Sequence, residues 1–247
     1  MNLPMAAPFP HPEAHARSVS RALLRVRDLH RSYRLGDVVS HALRGVDLAI
    51  GKAEFTAIAG PSGSGKSTLL HLMGGLDRPS SGEVWLEEQR IDTLSRSALA
   101  LLRLHRIGFV FQAYNLIPVL SALENAAFVM ELRRVGRKER EDRAMRALAE
   151  LGLEGFEHRR PNQLSGGQQQ RVAVARALSA EPSVVLADEP TANLDSSAGV
   201  ALIDAMHRLN DEYGVTFVFS THDPRLLGRV TRTVRLEDGR VVDDDGA

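Results

Sequence analysis

The chain has 247 residues, enough for one large α/β domain or a core carrying an inserted subdomain. Lys plus Arg and Asp plus Glu stand at 31 each, so no net field draws the protein to nucleic acid or to an anionic membrane. The absence of cysteine excludes disulfides, thiolate metal sites and a cysteine nucleophile, and no apolar run approaches the roughly 18 residues of a membrane helix.

The first stretch, "MNLPMAAPFPHPEAHARSVS", has prolines and no sustained apolar core. It does not read as a secretory signal, and residues 1–20 are expected to be a disordered tail. "LLRVRDLHRSYRL" and "HALRGVDLAI" alternate apolar and polar residues as half-buried strands do. "EFTAIAG" is a buried strand running into a glycine loop, and "KSTLLHLMGGL" a helix closed by Gly74 and Gly75. After the turn "DRPSSGE" comes the short strand "EVWLE". Residues 95–106 and 137–152 read as helices, and a helical insertion is expected over about 113–165. The final third returns to alternation: strand "SVVLAD", helix "AGVALIDAMHRLNDEY" ended by Gly214, strand "VTFVFST", and a hairpin around Asp238-Gly239. This alternation predicts a largely parallel sheet.

"GPSGSGKST" supplies Gly60, Pro61, Ser62, Gly63, Ser64, Gly65, Lys66, Ser67 and Thr68, the phosphate-loop pattern between a strand and a helix. Its glycines let consecutive amides turn toward phosphate oxygens, Lys66 neutralises charge, and the Ser67 hydroxyl can ligate Mg²⁺. "SVVLADEPT" places Asp188 and Glu189 at the C-terminal end of an apolar strand, where open α/β sheets bind ligands. One carboxylate there can hold Mg²⁺ while its neighbour orients a water for in-line attack on a γ-phosphate. "LSGGQQQRVAVARAL" adds Ser165 as an N-cap and Gly166-Gly167 as a point of close backbone approach. The helix, expected over about 168–180 and stopped by Pro182, points its positive end at whatever precedes the glycines. One chain thus carries two anion-binding elements.

"GPSGSGKST", "LSGGQ", "VVLADEP", "NLD" and "STHD" stand in the order found in ATP-binding-cassette ATPases, and the chain resembles that superfamily over about residues 22–242. The resemblance implies a phosphate-loop core of RecA type, an N-terminal antiparallel β subdomain and an inserted α-helical subdomain. It implies ATP and Mg²⁺ as ligands. Lys66 and the loop amides would hold the β- and γ-phosphates, and Gln112 would touch Mg²⁺ and sense the γ-phosphate. Glu189 would be the catalytic carboxylate, Asp188 would help hold the metal, and His222 would contact the γ-phosphate. Tyr33 matches the aromatic that stacks on adenine, although alone it reads as a half-buried strand residue. The signature, Ser165, Gly166, Gly167 and Gln168, would close over ATP held by a second copy, with Asp195 in the loop linking the two sites. That implies a homodimer.

"RSYRLGDVVSHALRGVDL", "GGLDRPSSGEV" and "IGFVFQAYNLIPVLSALENA" are similar to the branch serving lipoprotein-releasing, macrolide-exporting and cell-division permeases. The implied partners are membrane subunits with a periplasmic domain, together with a possible periplasmic adaptor and no nucleic acid. The implied location is the cytoplasmic face of a bacterial inner membrane. The segment after Gln112 would line the groove that receives a permease helix. Soluble cassettes of translation and DNA repair are a rival class, and so is a regulator of cell-envelope enzymes that transmits force without transport. Ala53 and Glu88 depart from the branch, each standing where a turn glycine is common.

Overall fold

A computed structural model describes residues 22–36 and 38–246, so the expected tail lies outside the described residues. A four-stranded sheet in the order β2-β1-β4-β5 opens the chain, from β1 (Leu24–Leu35), β2 (Val38–Ile50), β4 (Ser81–Leu86) and β5 (Gln89–Arg90). All its pairings are antiparallel. The second sheet has the order β10-β9-β3-β8-β7-β6, from β3 (Phe55–Ala59), β6 (Ile107–Val110), β7 (Val184–Ala187), β8 (Phe217–Thr221), β9 (Arg232–Glu237) and β10 (Arg240–Asp244). It is parallel except for the terminal β9–β10 hairpin, whose tip at Asp238-Gly239 has positive φ at both residues.

Alternation along the buried strands divides the core into two layers. Ile58 of β3 and Val218 of β8 face the antiparallel sheet and helix α1 (Lys66–Met73), among Leu29, Val46, Leu69 and Leu72. Phe55, Ala57, Phe217 and Phe219 face the opposite way, toward α3 (Ala122–Leu132), α4 (Arg137–Glu150), α5 (Gly166–Leu178) and α6 (Ser196–Tyr213). Helix α2 (Arg96–Arg106) belongs with the first layer, through Leu99 and Leu102. The first helix after β6, α3, is fixed at its start by a capping box of Ser121 and Glu124.

Two sequence readings change. Helix α5 starts at Gly166, two residues before the expected 168, because Ser165 and Gln168 cap it reciprocally and both glycines lie inside its first turn. It also ends at Leu178, with Ser179 as C-cap, short of the expected 180. Ala53, one of the branch departures, sits at φ 58, the left-handed conformation a glycine would take freely, and donates its amide to Thr216 Oγ1 at 2.9 Å. At the β4–β5 turn the left-handed residue is Glu87, at φ 52, so Glu88 occupies an ordinary backbone conformation.

Candidate functional site

Four neighbouring parallel strands end at one rim, and each delivers a piece of the site there. The phosphate loop follows β3, His222 follows β8, Asp188 and Glu189 follow β7, and Gln112 lies two residues beyond β6. The C-terminal rim of a parallel sheet is where the chain turns back into helices and where amides become free to meet a ligand. The resulting cleft of about 440 Å³ is lined by Ser62, Gly63, Gly65, Lys66, Ser67 and Thr68 on one side. Gln112, Glu189 and His222 line the other, with Ala42 and Ala192 at its margin.

Gly65 is the N-cap of α1 at φ 104, and a Cβ there would lie 2.4 Å from the Ala42 carbonyl oxygen. Only glycine lets the loop press against the β subdomain and still turn its amides into the cleft. Lys66 is buried at 6% exposure, yet its Nζ donates to the carbonyls of Gly60 and Pro61 at 2.9 Å each and lies 3.8 Å from Glu189 Oε1. The lysine folds back along its own loop, so its charge is held at the mouth of the cradle. Ser64 is also buried, and its backbone carbonyl accepts from the Gly239 amide at 3.0 Å, which ties the loop to the terminal hairpin.

Asp188 Oδ1 accepts from Ser67 Oγ at 2.8 Å and from Ser220 Oγ at 2.7 Å. Ser220 in turn accepts the Glu189 amide at 2.9 Å. Glu189 has φ 47, a left-handed backbone that a non-glycine residue rarely adopts, and the Ser220 hydrogen bond helps to hold it there. That backbone turn directs the carboxylate into the cleft, where both oxygens meet His222 Nδ1 at 3.0 and 2.9 Å. Ser220, fully buried, is a site residue that sequence reasoning missed. Its only signal was a hydroxyl following the apolar run Phe217–Phe219, immediately before "THD".

The signature segment lies elsewhere. Ser165 is exposed, and none of Ser165, Gly166, Gly167 or Gln168 lines the phosphate cleft of its own chain. Instead the helix start packs on the loops flanking that cleft. A Cβ on Gly166 would stand 2.9 Å from the Tyr114 hydroxyl. Asn193 Nδ2 donates to the Gln112 carbonyl at 2.8 Å, and Arg176 of α5 donates to the carbonyls of Tyr114 and Asn115 at 2.9 and 2.5 Å. Burial alone pushes the Arg176 guanidinium below its ordinary pKa. Asp195 is the N-cap of α6, and bonds from the Ser197 hydroxyl and the Ala198 amide hold its carboxyl below the usual range.

Tyr33 does not line the cleft. Its hydroxyl donates to Asp77 Oδ2 at 3.0 Å, and the Arg31 guanidinium lies over its ring at 4.4 Å. One ring face is therefore occupied by a cation, and 41% of the residue remains exposed.

The oxygen donors Ser67 and Asp188, side by side beneath the loop, suit a hard divalent cation. The cradle of amides with Lys66 suits a polyphosphate.

The sequence pattern of the ABC transporter family matches residues 43–192. An uncharacterized ABC transporter ATP-binding protein of Thermotoga maritima is 47% identical over 221 residues, covering 90% of this chain and 94% of its own. The lipoprotein-releasing system ATP-binding protein LolD of Anaeromyxobacter dehalogenans is 46% identical over 230 residues, 93% of this chain and 96% of its own. A dimeric post-hydrolysis structure of the ATP-binding cassette MJ0796 bound to ADP and Pi superposes with a TM-score of 0.83 at 42% identity, covering 90% of this chain and 97% of that one. With a phosphate loop, a strand-end carboxylate pair and a signature helix assembled as they are here, the chain belongs to the ABC transporter family and is an ATP-binding, ATP-hydrolysing cassette subunit.

Proposed function

We propose that two copies of this chain close head to tail around two ATP molecules, and that the cycle of closure and hydrolysis drives a membrane permease of the lipoprotein-release or macrolide-export type. The observation that carries this reading is the position of Ser165 to Gln168: the signature is capped, with Ser165 exposed and the other three half-buried, and it lies outside the phosphate cleft of its own chain. A positive helix start aimed at solvent finds its anion on another molecule. The MJ0796 dimer with ADP and Pi supports the same assembly.

In this reading Lys66 exchanges its two carbonyl contacts for phosphate oxygens, and the amides from Ser62 to Thr68 wrap the β-phosphate. Mg²⁺ would be held by Ser67, Asp188 and Gln112, and would supply positive charge to the β- and γ-phosphate oxygens. Glu189 accepts a hydrogen bond from the attacking water and aims it in line. His222 fixes the Glu189 carboxylate and presents its remaining ring nitrogen to the γ-phosphate. The partner's Ser165 and Gly167 complete the γ-phosphate shell, and Asp195 lies where the two sites meet. Tyr33 offers its uncovered ring face to adenine, with little base selectivity.

No helix among the described residues is long and apolar enough to cross a membrane; in this reading the cassette works at the inner face of the membrane against membrane-spanning permease elements. The segment after Gln112 borders an apolar groove that suits a helix of that partner. Affinity purification of the tagged chain from detergent-solubilised membranes tests this. A membrane subunit with a large extracytoplasmic domain is expected to follow the tag, and its absence at every detergent tried would remove the permease from the reading.

A further inference from the structure

Tyr33 is held on two sides by groups that the phosphate chemistry does not use. Its hydroxyl donates to Asp77 Oδ2 at 3.0 Å, and the Arg31 guanidinium lies 4.4 Å from the ring centroid. Arg31 Nη2 in turn stands 3.0 Å from Asp77 Oδ1 and 2.8 Å from Oδ2, so one carboxylate joins the ring to the cation on its covered face. The Arg78 amide donates to Oδ1 at 2.7 Å and holds that carboxylate from the other side. Arg31 Nε is buried without a partner among the described residues. A buried unpaired donor is costly, so the carboxylate and the ring are what keep the guanidinium in place.

Asp77 is also tied to the phosphate loop. It follows α1 by four residues, and the chain before it returns to that helix, the Leu76 amide donating to the His71 carbonyl at 2.8 Å. Lys66 of the loop opens the same helix. An eight-residue helix is a strut of roughly 12 Å, so the ring is registered against the phosphate cradle through a single rigid element.

We propose that Arg31 and Asp77 are positioning residues, which hold Tyr33 with one ring face open in a place set by the phosphate loop. The inference rests on the adenine role proposed for Tyr33 and adds the side chains that turn an exposed tyrosine into a fixed platform. An unanchored ring at 41% exposure samples several rotamers, and a nucleotide would have to order it on binding. With the hydroxyl and the rear face both held, that ordering is done when the chain folds. Neither Arg31 nor Asp77 touches the nucleotide in this reading. Their effect is therefore confined to the base, because the phosphates meet the loop whether the ring is held or not.

Calorimetric titration of the full-length chain with ADP and with pyrophosphate, each with Mg²⁺, reads the two ends of the ligand separately. Tyr33→Ala is expected to weaken ADP about tenfold and to leave pyrophosphate unchanged. Arg31→Leu and Asp77→Ala should each weaken ADP about three- to fivefold, again without moving pyrophosphate. In steady-state hydrolysis the same two variants should raise KM for ATP and leave kcat unchanged. Tyr33→Phe loses only the hydroxyl at an exposed position and should weaken ADP about threefold. Arg31→Lys should recover most of what Arg31→Leu loses. In a Tyr33→Ala background, Arg31→Leu and Asp77→Ala should have no further effect, since no ring is left to hold.

A merely structural role would weaken pyrophosphate as well and would persist in that background, and either result would overturn the proposal. So would parent-like ADP affinity in Arg31→Leu, Asp77→Ala and Tyr33→Phe while Tyr33→Ala is weakened, an outcome that leaves the adenine role of Tyr33 standing. Parent-like affinity in Tyr33→Ala itself would remove that role, and the positioning with it.

Discussion

Glu189→Gln is expected to hydrolyse ATP at least about a hundredfold more slowly than the parent chain, while binding ATP at least as well and forming a dimer that appears only with ATP. The change is nearly isosteric, and the amide oxygen can still meet His222 Nδ1, where the carboxylate now sits at 2.9 Å. It removes the acceptor charge that aims the water, and a hundredfold loss corresponds to about 2.7 kcal/mol of barrier. It also removes a negative charge 3.8 Å from Lys66, inside a cleft that must accept a polyanion, so the nucleotide-bound state gains relative to the free one. Steady-state phosphate release and gel filtration with and without ATP read the two halves of the expectation. Hydrolysis within a factor of three of the parent would sink the role assigned to Glu189.

Mixing two inactive chains should restore activity. Lys66→Ala removes the loop charge, and Ser165→Arg blocks the signature. In the mixed dimer one interface has lost both elements, while the other pairs an intact loop with an intact signature. A head-to-tail sandwich therefore predicts ATPase activity in the mixture that neither variant shows alone, rising and falling with the mixing ratio. Ser165 is also the N-cap of α5, and losing it costs about 1 kcal/mol, so the melting temperature of the Ser165→Arg chain must be shown to stay well above the assay temperature. Both variants inactive at every ratio, with both chains folded, would mean that each nucleotide is served by one chain.

Much of the site was legible in the sequence because its parts are backbone devices with fixed local spacing. A glycine loop between strand and helix, a carboxylate pair at a strand end and a Ser-Gly-Gly helix start each declare themselves within a few residues. The residues that escaped notice act across the sheet. Ser220 serves Asp188 and Glu189 from the neighbouring strand, a relation fixed by β7 and β8 lying side by side and by nothing local. Arg176 likewise holds Tyr114 and Asn115 from a helix that begins some fifty residues later in the chain. Tyr33 was legible as an aromatic on a strand, but its hydrogen bond to Asp77 depends on how the antiparallel sheet packs near the end of α1. The misjudged start of α5 has a simpler cause: glycines are poor helix formers, and only the reciprocal cap of Ser165 and Gln168 draws both into the first turn.

The left-handed backbone at Glu189 sets evolutionary stability against catalysis at a single position. That conformation costs a side-chain-bearing residue about 1 kcal/mol, a cost that glycine avoids and asparagine reduces. Selection for heat resistance alone would therefore drift toward Asn or Gly at 189 and lose the carboxylate on the way. Glu189→Asn should melt about 2–4 °C higher than the parent for each kcal/mol relieved, while losing turnover. A lower melting temperature would show that the His222 contact, rather than the backbone, governs stability there. The presence of glutamate at this position marks where the fold has been held for its chemistry.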